Sequence, residues 1–240
     1  MYIKSIELSN FRNYEYLSME FHPEKNILYG DNAQGKTNIL EALYYCGMMK
    51  SHKGSKEKEI IKLNEKEAHI RMLIEKKGVT RKIDMHLKRS KPKGVAIDGI
   101  PIRRSSELIG LVNIVFFSPE DLGIIKHGPS GRRRFLDMEL CQLDRVYYHD
   151  LAKYNKVMEQ RNNLLKQITY DQSLLPTLDI WDEQLVEYGC RIIRRREKHM
   201  EQLNEVIASI HHKLSGGKEK LVLGCEFSTC LLYTSPSPRD

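Results

Sequence analysis

Gly30-Asp31-Asn32-Ala33-Gln34-Gly35-Lys36-Thr37 is the stretch whose reading decides the fold. Two spaced glycines, then Lys and a hydroxyl residue, form a complete phosphate-binding P-loop pattern. The glycines let the backbone curl until its N–H groups face phosphate oxygens. Lys36 is placed to reach the β- and γ-phosphates, and the Thr37 hydroxyl to hold Mg²⁺. The flanks predict the context that the motif needs. Asn26-Ile27-Leu28-Tyr29 reads as a short strand. Asn38 to Lys50 reads as a helix with Ile39, Leu40, Leu43 and Cys46 on one side. A helix starting at the loop adds its own positive end to the anion site. The expected ligand is ATP with Mg²⁺, its phosphates cradled by the octet Gly30 to Thr37.

Outward from the loop, the pattern alternates. Ile3, Ile6 and Leu8 fit one strand, and Leu17, Met19 and Phe21 a second. After a Lys-rich polar stretch, Ile70, Met72 and Ile74 and then Val79 to Leu87 predict two more, with Lys76-Lys77-Gly78 as the turn. Asp98-Gly99 is a hairpin signal between Val95-Ala96-Ile97 and Ile100-Pro101-Ile102. Together these predict an antiparallel meander. Val112 to Phe117 reads as a further strand, ended by Ser118-Pro119. From about Ser130 the period changes. Tyr147, Leu151, Tyr154, Met158, Leu165 and Ile168 fall on helical spacing with only Arg161 interrupting it. Beyond a break at Tyr170 to Pro176, Leu178, Trp181, Leu185, Tyr188 and Ile192 resume the spacing, and it continues to Leu214. Two long amphipathic helices joined by a short loop predict an antiparallel, coiled-coil-like arm.

The bulk properties narrow the partner. The chain has 240 residues, 40% of them hydrophobic, a net charge of +7 and 30% charged residues. Such a balance supports a real core and favours an acidic partner such as nucleic acid. The five cysteines never form a close pair, which argues against a zinc knuckle or disulfide framework. No apolar leader opens the chain and no long apolar run crosses it, so a cytoplasmic protein without a membrane span is expected.

The expected fold class is α/β: a P-loop NTPase of the ABC/SMC-head type, with an antiparallel β subdomain and an inserted antiparallel helical arm. The expected divisions are residues 1–129 for the first part of the head, 130–215 for the arm, 216–229 for a returning β segment, and 230–240 for a Ser/Pro-rich, non-native tail. Four ordered blocks carry a family resemblance: Asn10-Phe11-Arg12-Asn13-Tyr14; the P-loop with Asn38-Ile39-Leu40-Glu41-Ala42; Phe117 to Leu122 with Gly128-Pro129 and Arg132-Arg133-Arg134-Phe135-Leu136-Asp137; and Gln160 to Lys166. Together they resemble the RecF family of bacterial recombination and gap-repair ATPases over about residues 1–229. The resemblance implies a replication and repair protein that binds ATP, dimerises when ATP is bound, and binds single-stranded or gapped DNA. It also implies work with RecO and RecR to load RecA, in support of recombinational repair and SOS induction. By the same resemblance the stretch that wraps ATP runs on to Asn38, and Arg12 matches a position that contacts phosphate in related heads.

Several motifs need separating from the site. Leu214-Ser215-Gly216-Gly217 resembles an ATPase signature, but the glycine pair better suits a helix end. Glu120 and Asp121 follow Pro119, so neither is assigned as a catalytic base; capping the next turn is the plainer role. Lys126, Arg132, Arg133, Arg134 and Lys53 are candidate DNA contacts, as is the run Arg191 to Lys198, although a helical charge run is usually a solvated face. A Walker B acid, a catalytic glutamate and a signature helix have no match in the 240 residues. The chain is therefore expected to be a fragment that binds nucleotide and hydrolyses it poorly, its catalytic residues unknown. The alternatives are a P-loop small-molecule kinase and a non-hydrolysing DNA-binding fragment.

Overall fold

The computed structural model describes residues 1–123 and 128–224. The chain divides into two compact units, Met1–Lys126 and His127–Asp240.

The first unit is built on one antiparallel sheet of six strands: β1 (Tyr2–Phe11), β2 (Tyr14–Glu20), β3 (Glu67–Lys76), β4 (Val79–Lys88), β5 (Gly94–Ile97) and β6 (Ile100–Pro101). Their order across the sheet is β2-β1-β3-β4-β5-β6. Strict alternation explains the register. Ile6 and Leu8 of β1, Ile70, Met72 and Ile74 of β3, and Ile83, Met85 and Leu87 of β4 are all fully buried. On the other face Arg71 pairs with Asp84 at 2.8 Å and with Glu7 at 3.3 Å. Burying one such apolar side chain contributes roughly 2 kcal/mol. An exposed ion pair contributes at most about 1 kcal/mol. The apolar face therefore sets the register, since a slip by one residue would turn every one of those side chains to solvent. Both predicted hairpin turns form. Lys77 and Gly78 (φ 52° and 76°) and Asp98 and Gly99 (φ 53° and 82°) are left-handed pairs of the kind that a two-residue hairpin needs.

Helix α1 (Lys36–Met48) lies in this core, and the short helix α2 (Glu57–Ile60) follows it. The predicted apolar side of α1 is only half right. Ile39 and Cys46 are buried, Leu43 is half-buried, and Leu40 is 43% exposed. The helix is instead buried around most of its circumference from Glu41 to Met48.

Two predicted strands are not formed among the described residues. Asn26 to Tyr29 joins no strand ladder, with Ile27 84% and Tyr29 91% exposed. Val112 to Phe117 likewise joins none, and only Val112 lies in an isolated bridge, to Ile109. Ile114 and Phe116 face inward, Phe116 against the Tyr44 and His52 rings, while Val115 and Phe117 stay exposed. Both segments have strand-like composition, but a strand also needs a hydrogen-bonding neighbour, and composition supplies none.

The second unit contains α3 (Pro129–Leu143), α4 (Arg145–Ile168) and α5 (Leu178–Ser215), with a 3₁₀ turn over Gln172–Thr177 between the last two. The predicted helical pair is thus present. Asp144 caps α4, its carboxylate accepting from the backbone N–H groups of Val146 and Tyr147. Tyr147, Val157 and Leu164 of α4 and Ile192 of α5 are buried between the helices. Arg161, which interrupts the apolar spacing, pairs across the helices with Asp182. Gly216 (φ 61°) and Gly217 (φ 77°) end α5, and their N–H groups return to the His212 carbonyl. The Leu214–Gly217 stretch is therefore a helix terminus, not a helix start. Among the described residues no helix is long and apolar enough to cross a membrane. The expected segments at 225–229 and 230–240 lie outside the described residues.

Candidate nucleotide site

The loop between Gly30 and Lys36 is shaped by positive φ angles at Gly30 (137°), Ala33 (64°) and Gly35 (97°). A β-carbon at Gly30 would meet nothing within 4 Å, so glycine is required there by backbone angle alone. Gly35 is required twice over. Its φ is left-handed, and a β-carbon would stand 2.7 Å from the Asn13 amide and from the Tyr14 hydroxyl.

Helix α1 starts at Gly35 with no side-chain cap and no acidic residue in its first turn. The first N–H groups of a helix have no partner within it. Here no side chain competes with an anion for them. The Lys36 ammonium donates to the carbonyls of Gly30 and Asp31 at 2.7 and 2.5 Å, so it sits at the start of the loop's curl. Asp31 to Gln34 and Thr37 are exposed. Curled backbone, uncapped helix start, ammonium and free hydroxyl fit a bound polyphosphate. Among the described residues no group of three or more His, Cys, Asp or Glu could hold a metal ion by itself.

A layer behind the loop went unseen in the sequence. The Asn13 amide and the Tyr14 hydroxyl donate to the Gln34 carbonyl at 3.3 and 3.2 Å, and Asn38 Nδ2 donates to Asn13 Oδ1 at 2.8 Å. Arg12, expected near a phosphate, is engaged elsewhere. Its Nε and Nη2 donate to the two oxygens of Glu41 at 2.9 and 2.6 Å, Nη2 also to Ser55 Oγ at 2.7 Å, and Nη1 to the Glu59 carbonyl at 2.8 Å. These bonds use four of the five guanidinium N–H donors, so a phosphate contact by Arg12 would use the remaining Nη1–H or compete with the bidentate pair. Glu41 is fully buried and also accepts from Ser51 Oγ at 2.5 Å. Burial pushes its carboxyl up, but the hydrogen bonds from Arg12 and Ser51 and the charges of Arg12 and Lys53 outweigh burial and hold it below the usual range. A glutamate in a helix reads as a surface residue. The only signal for its burial was the solitary arginine in the tight turn before it.

The basic candidates separate into two kinds. Arg133 and Arg134 are exposed on the first turns of α3, where Arg132 is also exposed, and Lys53 is exposed in the loop after α1. Lys126 lies outside the described residues. In the Arg191–Lys198 run, by contrast, Arg195 bonds Asp150 at 2.5 Å and Asp144 at 3.1 Å, and Arg196 bonds Asp137 at 2.6 Å and the Tyr147 hydroxyl at 3.0 Å. Those two arginines hold helices together. Asp121 caps its own turn, accepting from the Ser118 backbone N–H at 2.6 Å.

Residues 2–238 match the RecF/RecN/SMC N-terminal domain family. The chain is 64% identical over 228 residues to the DNA replication and repair protein RecF of Lachnoclostridium phytofermentans, covering 95% of this chain and 63% of that protein. It is 59% identical over 226 residues to the RecF of Agathobacter rectalis, covering 94% of this chain and 62% of that one. The chain thus spans about three-fifths of the length of these relatives. Among solved structures, the recombination mediator protein RecF-ATP of the RecFOR pathway superposes with a TM-score of 0.86 at 38% identity, covering 90% of this chain and 58% of that one. The P-loop, the antiparallel sheet and these relatives agree, and the chain belongs to the RecF/RecN/SMC N-terminal domain family, on its RecF branch.

Proposed function

We propose that this chain carries the nucleotide-binding part of a DNA replication and repair ATPase of RecF type. The observation that carries the reading is the P-loop geometry: left-handed Gly30, Ala33 and Gly35, an uncapped α1, and Lys36 folded to the loop's start. In this reading the backbone of Gly30 to Asn38 wraps the phosphates of ATP. Lys36 neutralises them, and the Thr37 hydroxyl with the phosphate oxygens holds Mg²⁺. The bound metal would supply charge neutralisation on the phosphates. Arg12 would reach phosphate with its remaining Nη1–H, or by exchanging Glu41 for it.

DNA, single-stranded or gapped, is the proposed macromolecular partner, supported by the net charge of +7 and by exposed Arg132, Arg133, Arg134 and Lys53. Lys126 completes that set. ATP-dependent pairing of two copies, work with RecO and RecR in loading RecA, a role in SOS induction and a cytoplasmic location belong to the same proposal, through the RecF relationship. The test is ATP binding with Mg²⁺ by the protein and by Lys36→Ala. Micromolar binding that Lys36→Ala abolishes supports the reading. Equal affinity in both proteins rejects it. Binding to gapped DNA that weakens steeply with salt tests the second half.

A further inference from the structure

A P-loop rich in glycine does not hold its shape unaided, because glycine leaves the backbone its greatest freedom. Here the loop is braced from outside. The turn between β1 and β2 carries Asn13 and Tyr14 to the Gln34 carbonyl, and Asn38 on α1 returns to Asn13. These bonds form a closed ring from turn to loop to helix. Gly35 lies so close beneath the ring that any side chain there would have to displace Asn13 and Tyr14.

The turn that makes the brace is itself an improbable piece of backbone. Asn10 and Arg12 adopt φ 51° and 54°, and for a side chain as long as arginine that region is rare. Something must hold it. The Arg12 backbone N–H donates to the Ile60 carbonyl at 2.7 Å, and its guanidinium grips Glu41 on α1, with Ser55 and the Glu59 carbonyl completing its partners. Glu41 sits on the same helix that begins at the P-loop. The pair therefore fixes the distance between the turn and the helix start, which is the distance that the ring must span.

We infer that Asn13 and Tyr14 are positioning residues for the P-loop, and that the Arg12–Glu41 pair anchors their turn against α1. Nucleotide affinity then depends on side chains that need not touch the nucleotide. This rests on the P-loop being the nucleotide site.

The test combines two measurements on the protein, on Asn13→Ala, Tyr14→Phe, Glu41→Gln and the double variant Asn13→Ala/Glu41→Gln, with Lys36→Ala alongside. The first is hydrogen exchange without nucleotide. The amides of Gln34 to Thr37 should exchange faster in each of the brace variants, while those of β3 and β4 stay as protected as before. The second is the Kd for ATP with Mg²⁺. If loosening leaves the loop competent a tenth of the time, affinity falls roughly tenfold. Glu41→Gln should then add little in the Asn13→Ala background, because both act through one ring. Unchanged exchange at Gln34 to Thr37 in both Asn13→Ala and Tyr14→Phe overturns the inference. Full additivity of Asn13→Ala and Glu41→Gln removes the anchoring role. If the exchange effect appears but Lys36→Ala binds ATP as well as the parent, the nucleotide reading fails while the brace stands.

Discussion

Arg195 Nη1 lies 2.5 Å from Asp150 Oδ2 across helices α4 and α5, and Asp150 is only 2% exposed. A desolvated carboxylate needs its partner more than the partner needs it. Removing one member of a buried pair leaves an uncompensated charge and costs about 3 kcal/mol or more. Arg195 is nearly one-third exposed, which softens the loss. Arg195→Ala is therefore expected to lower the stability of the helical unit by about 2 kcal/mol, since Arg191 at 3.8 Å is a poor substitute. Asp150→Asn, which removes the buried charge, should cost less. Thermal unfolding followed by circular dichroism decides it, and a larger loss in Asp150→Asn than in Arg195→Ala contradicts the account.

The same geometry separates two kinds of arginine in DNA binding. Arg133→Ala and Arg134→Ala should each reduce the log–log salt slope of binding to gapped DNA by about one and leave the melting temperature within a degree or two. Arg196→Ala should do the reverse, because its guanidinium is already bonded to Asp137 and Tyr147. Fluorescence anisotropy between low and physiological salt distinguishes them. Equal slopes for Arg134→Ala and the parent would remove α3 from the interface.

Gly35→Ala is expected to weaken ATP binding at least tenfold without unfolding the sheet. The left-handed backbone costs an alanine about 1 kcal/mol, and the new β-carbon must displace Asn13 and Tyr14. The brace therefore breaks together with the loop. Retained strand circular dichroism and a Kd raised at least tenfold are the expected pair of results.

Glu41 makes the first unit sensitive to acid. Its carboxyl titrates lower when folded than the value near 4.3 of a free glutamate. A depressed carboxylate contributes stability that is complete above the unfolded value. That contribution is lost as pH falls through the folded one. As pH falls below the free-glutamate value and on through the lower folded one, the Arg12 clamp should therefore release and the unit should lose stability. In Glu41→Gln the unit should be less stable at pH 7, but its acid limb should be flatter. Urea midpoints at pH 7, 5, 4 and 3 test the sign. A slope unchanged by Glu41→Gln excludes this carboxyl as the cause.

Much of this fold is legible from pattern because the deciding interactions are local or periodic. Ile70, Met72 and Ile74 alternate, Asp98-Gly99 can make only a few turns, and Tyr147 to Ile168 repeats at helical spacing. The P-loop is legible for another reason: each of its residues answers a steric or charge requirement of phosphate. What pattern missed depends on partners distant in the chain. Ile27 and Val115 look like strand residues, yet their segments find no strand neighbour among the described residues. Glu41 looks like a wet helix residue and is buried, because Arg12, twenty-nine positions earlier, folds onto it. The run at Arg195 and Arg196 reads as surface charge until Asp150, Asp144 and Asp137 are brought opposite it.

The strand order has a kinetic consequence. β3, β4, β5 and β6 are neighbours in both chain and sheet, so their hairpins can close from adjacent residues. β1 lies beside β3, although the whole P-loop and α1 separate them in sequence. Closing a loop of that length is slower than zipping a hairpin, and topology of this kind sets folding rate. The cradle should therefore take shape late, when β1 docks and brings its turn to Gln34. During refolding, ATP binding would lag behind protection of the β3–β4 amides. Nucleotide capture would thus report a finished sheet.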